Sequence, residues 1–472
     1  MKQNLLLAVA FLMMLMSTSS LKAQTDTLKH KTADNYFRNQ YGVLVEHKPL
    51  EPESWSGILS FRSKDKSYRL WLDNRVYIDG AYFFDNNTYN PIGNGLTVRR
   101  ARFAVKATLH NNWYGEIDLD FAGSEMEMKD MIIGYNFDIK EDAFLRNIKI
   151  KAGNFKETFS MEYTTTSRYL TFIERSLTHA FVPGRTLGLQ TQMNSNRFFL
   201  GAGVSFNDVG DSEVTSWTKD NNKKRGMDEG YSVTGRFVGY PIMTDDAVLH
   251  IGVAATYRTP KTSWEISDGY RYSTRSLTSI NRKKYLDTDD MTNVASLQLV
   301  GFELAGAWNN FMFQSEYMMQ QVNGTDINGS GKDVANFNGA YVQAGWLIFG
   351  GHYRYNRAEA EFTQISRGKD WGDIELAVRY DYVSLNDFDA LVYGGGANGF
   401  TIGTNYYVNS NVKIMLNYSF IDHDRYANGK DKLYTGYDLN GNPTKKWALI
   451  DSSKGTPGEK FGFVALRLEV DF

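Results

Sequence analysis

From about residue 67 to its end the chain repeats segments of about ten residues in which apolar and polar positions alternate. Period-two alternation puts each set of side chains on its own face of a strand. The last segment is the clearest. Gly462, Val464, Leu466, Leu468, Val470 and Phe472 form an apolar face, and Phe463, Ala465, Arg467, Glu469 and Asp471 form the other. Val412, Ile414, Leu416, Tyr418 and Phe420 repeat the pattern against Lys413, Met415, Asn417 and Ser419, as do residues 374–382. Trp113, Gly115, Ile117, Leu119 and Phe121 alternate with Tyr114, Glu116, Asp118 and Asp120. Such polar faces are too charged for a packed sandwich core and suit a wet interior.

Sixteen segments read this way, near 70–84, 97–109, 112–122, 128–138, 146–155, 186–193, 197–206, 231–240, 247–258, 296–308, 310–321, 338–348, 373–384, 398–409, 411–421 and 460–472. The fold class is therefore all-β: a transmembrane antiparallel β-barrel of about sixteen strands, an even number as bacterial barrels require. With both termini periplasmic, the turns at Asn194 to Asn196, Asn309 and Asn409-Ser410 are short inner links, and 156–185, 207–230, 259–295, 322–337 and 422–459 are outer loops. Residues 349–372 break the rule. They fall on the periplasmic side and are too long for a turn, so they form either a missed hairpin, making eighteen strands, or a segment folded into the lumen. A barrel this wide encloses water. Residues 156–185 are the candidate for an inward-folded constriction loop.

The start of the chain follows other rules. Lys2 precedes an apolar run from Leu5 to Met16, then small residues to Ala23, which reads as a signal peptide over 1–23 cleaved before Gln24. The run is short of the roughly 20 residues that span a bilayer as a helix. Residues 24–66, with Pro49 and Pro52, are expected as a periplasmic N-terminal segment, and 67–472 as the outer-membrane barrel.

Composition narrows the function. Cysteine is absent, which removes disulfides, thiolate metal sites and a cysteine nucleophile. The 52 basic and 54 acidic residues give a charge of −2 and no field for nucleic acid. Losing Lys2 and Lys22 with the signal peptide leaves 50 against 54, a mature charge of −4. Mean hydropathy is −0.43, although 14% of residues are aromatic and 42 are Gly. That mixture suits a barrel, where only alternate residues meet lipid. The seven His show no HExxH or similar spacing, so no enzyme and no cofactor or metal is expected.

Segment 97–109 carries the candidate chemistry. Val98, Arg100, Arg102, Ala104, Lys106 and Thr108 share one face, expected inward, and Arg99 falls on the lipid face. Residues two apart on a strand lie about 6.6–7 Å apart, so Arg100, Arg102 and Lys106 could pass an anion along the wall. Lys149 and Lys151 add inward positions, with Lys156 following. Asp118, Asp120 and Glu116 on the adjacent strand could instead neutralise this ladder.

The runs Gly153-Asn154-Phe155-Lys156-Glu157-Thr158-Phe159, Ser167 to Leu177, Pro183 to Gln190 and Trp371 to Tyr380 resemble the phosphate-selective porin O and P family. The resemblance implies a trimeric outer-membrane porin of sixteen strands, with loops folded inward and an arginine-lysine path for phosphate. It also implies that a periplasmic link such as 349–372 can enter the lumen. Carried over, the anion-contacting positions are Arg100, Arg102, Lys106, Lys149, Lys151, Lys156, Arg168, Arg175 and Arg185. Glu157, Glu162 and Glu174 lie among the loop positions and could pair with Arg168 or Arg175. Expected partners are anions such as phosphate, outer-membrane lipid and two further copies of the chain. The alternatives are a general, non-selective diffusion porin and a receptor barrel that uses its outer loops.

Overall fold

A computed structural model describes residues 36–55, 57–84, 88–137, 139, 144–212, 215, 227–263 and 269–472. The expected signal peptide, 1–23, lies outside the described residues. Sixteen strands close into an antiparallel barrel. They are β1 (Arg75–Phe84), β2 (Gly95–Leu109), β3 (Trp113–Asp120), β4 (Glu127–Phe137), β5 (Asn147–Lys156), β6 (Arg185–Asn194), β7 (Phe198–Ser205) and β8 (Ser232–Met243). Then come β9 (Ala247–Arg258), β10 (Val294–Trp308), β11 (Phe311–Gly324), β12 (Val334–Leu347), β13 (Asp373–Asp387), β14 (Val392–Tyr407), β15 (Val412–His423) and β16 (Lys460–Asp471). Each pairs with the next, and β16 closes on β1 in register from Asp471 against Arg75 to Gly462 against Phe84.

The strand Tyr68–Leu72 pairs with the far half of β2, so it and β1 occupy one position in the wall, broken at Asp73 and Asn74. Residues Leu50–Trp55 and Ile58–Ser63 extend the sheet from it, inside the stretch expected as an N-terminal segment. Tyr36–Arg38 and Leu44–Glu46 form a separate hairpin.

The alternation behaves as two solvents require. In β16, Leu466 and Leu468 are exposed on the outer face, while Arg467, Glu469 and Asp471 are buried within. In β3, Ile117 is exposed and Asp118 and Asp120 are buried.

One of the register shifts in the wall bears on the candidate site. Tyr77 pairs with Arg100 but Ile78 pairs with Val98, leaving Arg99 as the extra residue of a bulge. A bulge shifts the side-chain phase by one. The expectation that Arg99 faces lipid and Val98 the lumen is therefore reversed: Val98 is exposed, and Arg99 turns inward to Glu174 at 2.5 Å.

The expected constriction loop does fold inward. Between β5 and β6 the chain crosses the lumen, and the far wall holds it by polar contacts. Glu316 accepts the Glu162 amide at 2.7 Å, Asp381 that of Leu177 at 3.1 Å, and Lys413 donates to the Arg168 carbonyl at 2.8 Å. Asn405 donates to the Thr171 carbonyl at 2.7 Å. Two wall glycines leave room for loop aromatics. A Cβ on Gly301 would stand 2.9 Å from Phe159 Cζ, and one on Gly403 3.1 Å from Phe172 Cε1. Phe159, Phe172 and Leu177 are accordingly buried.

Residues 349–372 also enter the lumen rather than adding a wall hairpin. The Ala360 carbonyl accepts from Arg236 at 2.9 Å, and the Tyr355 hydroxyl meets His250 Nδ1 at 2.6 Å. The outer connection 259–295 packs Tyr272, Leu277 and Tyr285 into an apolar cluster with Phe83, Phe181 and Phe463.

Gly153 opens the approach to the constriction loop with φ +126°, and a Cβ there would overlap the Met131 carbonyl oxygen on β4. Only glycine adopts that backbone without strain. Gly153→Ala is expected to cost about 2 kcal/mol or more. The fall would be read as a lower urea midpoint for refolded barrel in lipid vesicles.

Candidate functional site

Strands β2 to β6, the inward loop and the periplasmic segment enclose a chamber of about 990 Å³. Its lining runs from Asp208 and Gly210 on an outer connection to Lys149 and Glu359 toward the periplasmic turns, so it follows one side of the barrel from end to end. Eight of the nine candidate cations line it, and Arg168 does not. Arg168 lies across the loop in a smaller space, paired with Asp73 and, at 3.7 Å, with Asp471.

The eight differ in how their charge is balanced. Arg102 is 3.1 Å from Asp120 and 3.4 Å from Asp118. Lys106 is 2.9 Å from Asp73 and 3.1 Å from Glu116, and Arg185 is 2.8 Å from Asp130. Lys149 reaches Glu359 at 3.7 Å. Half of the ladder is thus matched, acid for base, by its neighbours. The carboxylates Glu116, Asp118 and Asp130 cluster within 4.8 Å, and each is an ion-pair partner of Lys106, Arg102 or Arg185.

Lys156 and Arg175 are held by carbonyls instead. A helical turn at Met161–Thr164 leaves its last carbonyls unpaired within the turn. Lys156 donates to the Tyr163 carbonyl at 2.7 Å, and Arg175 to those of Glu162 at 3.1 Å and Thr165 at 2.8 Å. Carbonyl dipoles fix both side chains without cancelling a full charge. The glutamates of the loop do not neutralise Arg175 through any ion pair among the described residues. Glu174 binds Arg99, Glu157 binds Arg258, and Glu162 lies 3.6 Å from Arg379.

Arg100 and Lys151 have neither an ion pair nor a hydrogen bond among the described residues. Arg100 is 8% exposed, its buried Nε has no partner, and its guanidinium lies 6.0 Å from the Tyr77 ring. Lys151 lies over Phe155 at 4.5 Å. An aromatic face favours a cation but supplies no counter-charge.

Further arginines point inward from strands, among them Arg75 beside Asp73, Arg236 on Glu303, Arg379 beside Asp381, and Arg467 on Asp79. Arg379 and Arg467 already stood on polar faces, so alternation located them; Asp381 stands two residues on from Arg379 along the same strand, whereas Arg467 meets Asp79 only across the closing seam. Arg99 was misassigned because no periodicity announces a bulge.

Loop groups respond to this surplus of cations. Burial disfavours the Glu174 charge, yet Arg99 overrides it and holds the carboxyl well below its usual range. Burial, then the charge of Arg175, pulls the His179 ring down to about 3.

A family model described as phosphate-selective porin O and P matches residues 72–439. Porin O of Pseudomonas aeruginosa is 25% identical over 406 residues, which is 79% of this chain and 87% of that protein. An uncharacterized protein of Caulobacter vibrioides is 24% identical over 391 residues, 79% of this chain and 74% of its own length. Among solved structures, the trimer form of OmpT from Vibrio cholerae aligns with a TM-score of 0.48 at 10% identity, covering 86% of this chain and 100% of that one.

A ring that titrates near 3 stays neutral from pH 7 to pH 5, whereas an ordinary His would gain charge there. His179→Gln is therefore expected to leave the shift of reversal potential between pH 7 and pH 5 unchanged. Bilayer recordings of both proteins under a KCl gradient check this.

Proposed function

The chain belongs to the phosphate-selective porin O and P family, and from that premise we propose that it is an anion-preferring pore whose solutes are phosphate and phosphorylated compounds. It is an outer-membrane porin, and the transport it performs on this reading is passive diffusion through the wet chamber.

The observation that carries the anion preference is the imbalance at Arg100 and Lys151. A wall cation paired with a carboxylate adds little field a few ångströms away. An unpaired one lowers the barrier for an anion throughout a narrow, low-dielectric passage. Arg100 can present a two-pronged donor face to a phosphate, and Lys151 a compact charge further toward the periplasm. Lys156 and Arg175 add positive charge between the loop and the wall. Several weak sites in series let an ion enter without trapping it. The reading includes export through residues 1–23, as their basic start and apolar run imply, and assembly as a homotrimer, as the family resemblance implies.

One observation favours a general diffusion pore instead: Arg102, Lys106 and Arg185 are each matched by acids. The two readings part on which arginine matters. Even at water-like screening, one unit charge about 4 Å away is worth about 1 kcal/mol, or about fivefold in permeability. Arg100→Ala should lower the anion-over-cation permeability ratio about fivefold, with conductance retained. Replacing Arg102 and Asp120 together by Ala, which removes an ion pair and leaves the net charge of the wall unchanged, should change it by less than about twofold. Reversal potentials under a KCl gradient give both ratios. A wild-type potential that is near zero or cation-signed would leave the general pore standing.

A further inference from the structure

Residues 349–372 form a short hairpin inside the lumen, with Asn356 opposite Glu361 and Tyr355 opposite Phe362. The wall pins its turn at two points. Arg236 donates to the Ala360 carbonyl at 2.9 Å, and the Tyr240 hydroxyl donates to that of Arg357 at 3.3 Å. Successive side chains on a strand point to opposite faces. Phe362 accordingly enters an apolar cluster with Met161, Val248 and Met312, and Glu361 lines the chamber.

Among the described residues, seven carboxylates line the chamber. Glu116, Asp118 and Asp130 pair with the basic ladder, Glu127 with Lys129, and Glu359 with Lys149 at 3.7 Å. Asp208 accepts the Gly210 and Asp211 amides at 2.7 and 2.9 Å. Glu361, only 8% exposed, makes no ion pair among the described residues. The charges that reach it are Glu359 on its own segment, Lys156 on β5 and Arg236 on β8, besides the Thr166 amide of the inward loop. Arg236 is already bound to Glu303, and Lys156 to the Tyr163 carbonyl. On the helical turn packed beside it, Glu162 is turned to Arg379 and Ser176.

A carboxylate beside an anion path costs affinity unless the anion offers it a hydrogen. An ionised carboxylate only accepts hydrogen bonds, whereas a protonated one also donates. Near neutral pH every orthophosphate ion carries at least one hydrogen, and sulfate carries none. A phosphate drawn in by Lys151 can therefore donate to Glu361 in the same chamber. A sulfate of the same shape sets acceptor against acceptor there, and like charge against like.

We propose that Glu361 is the residue by which the chamber tells orthophosphate from sulfate: its carboxylate accepts the hydrogen of a bound phosphate and repels an oxyanion that has none. The proposal rests on the anion-pore reading above and adds the basis of its specificity. Burial, then the charge of Glu359, pushes the Glu361 carboxyl up to about 7, against Lys156, Arg236 and the Thr166 amide. The discrimination is thus present above about pH 7, where the group is ionised. It is lost below that pH, where the protonated group donates to either anion.

The test is block of single-channel chloride current by sulfate or orthophosphate at pH 8 and pH 5.5, on either side of about 7. Sulfate carries no hydrogen at either pH, so a change in its block reports on the protein. Its half-blocking concentration in the wild type is expected to fall about fivefold or more from pH 8 to pH 5.5, the worth of one unit charge about 4 Å away. In Glu361→Gln, whose amide donates at any pH, sulfate should block at both pH values within about twofold of its wild-type block at pH 5.5. Orthophosphate block of that variant at pH 8 should stay within about twofold of wild type, since lost repulsion and a lost charge-assisted hydrogen bond offset each other. That comparison separates the missing charge from a damaged segment. Glu359→Gln should keep the pH dependence and move its midpoint down, because its charge helps hold the Glu361 carboxyl up. The assignment is overturned if wild-type sulfate block is equal at the two pH values, or if Glu361→Gln keeps the full pH dependence. An anion-signed channel that neither oxyanion blocks overturns it as well. A cation-signed reversal potential in the wild type would bring down the anion reading itself, and the role of Glu361 with it.

Discussion

Everything in this protein follows from the closure of β16 on β1. In hydrocarbon an unpaired backbone N–H or C=O costs several kcal/mol, so a sheet survives there only if it has no edge. Closing the ring settles the backbone and divides the side chains in two. Leu466 and Leu468 must face lipid, and Arg467, between them, must face the interior. The seam carries its own lock, for Arg467 binds Asp79 across it with two hydrogen bonds at 2.7 and 2.8 Å.

Closure also creates the problem that the loops solve. A sixteen-stranded ring leaves a wide interior, and here much of it is filled. The constriction loop, the outer connection 259–295 and the periplasmic segment 349–372 all turn inward. The outer part is packed like a soluble core, with Tyr272, Leu277 and Tyr285 against wall aromatics. The inner part is polar and hydrogen-bonded. Glycines such as Gly301 and Gly403 fit this division, since a larger side chain there would meet the loop's aromatic rings.

Charges driven inward must then find partners, because an isolated buried charge is costly. Most do: Arg102 with Asp118 and Asp120, Arg236 with Glu303, Arg379 with Asp381. Against that background Arg100 and Lys151 stand out. A cation left without a carboxylate in a wet passage lowers its own cost by attracting a mobile anion, which is what an anion pore requires. The function proposed here is therefore read from exceptions to the pairing rule and not from the number of basic residues.

The local pattern of the chain was enough to determine the barrel and which face of most strands meets lipid, and it put the strand count at sixteen or, with a hairpin in 349–372, eighteen. Those properties depend on a period of two that each strand carries within itself. Inward positions such as Arg100, Arg102, Lys106, Lys149 and Lys151 were legible for the same reason. The bulge at Arg99 was not, because one inserted residue leaves no mark on composition and shows only in the register against β1. Nor was the balance of charge: Asp73 reaches Lys106, and Glu359 reaches Lys149, only because remote segments are brought to one wall. Arg168 looked like its neighbours in the motif and went to the other side of the loop. Which cations are free to meet an anion is decided by the tertiary structure, because Coulomb energy depends on distances between residues that the order of the chain does not contain.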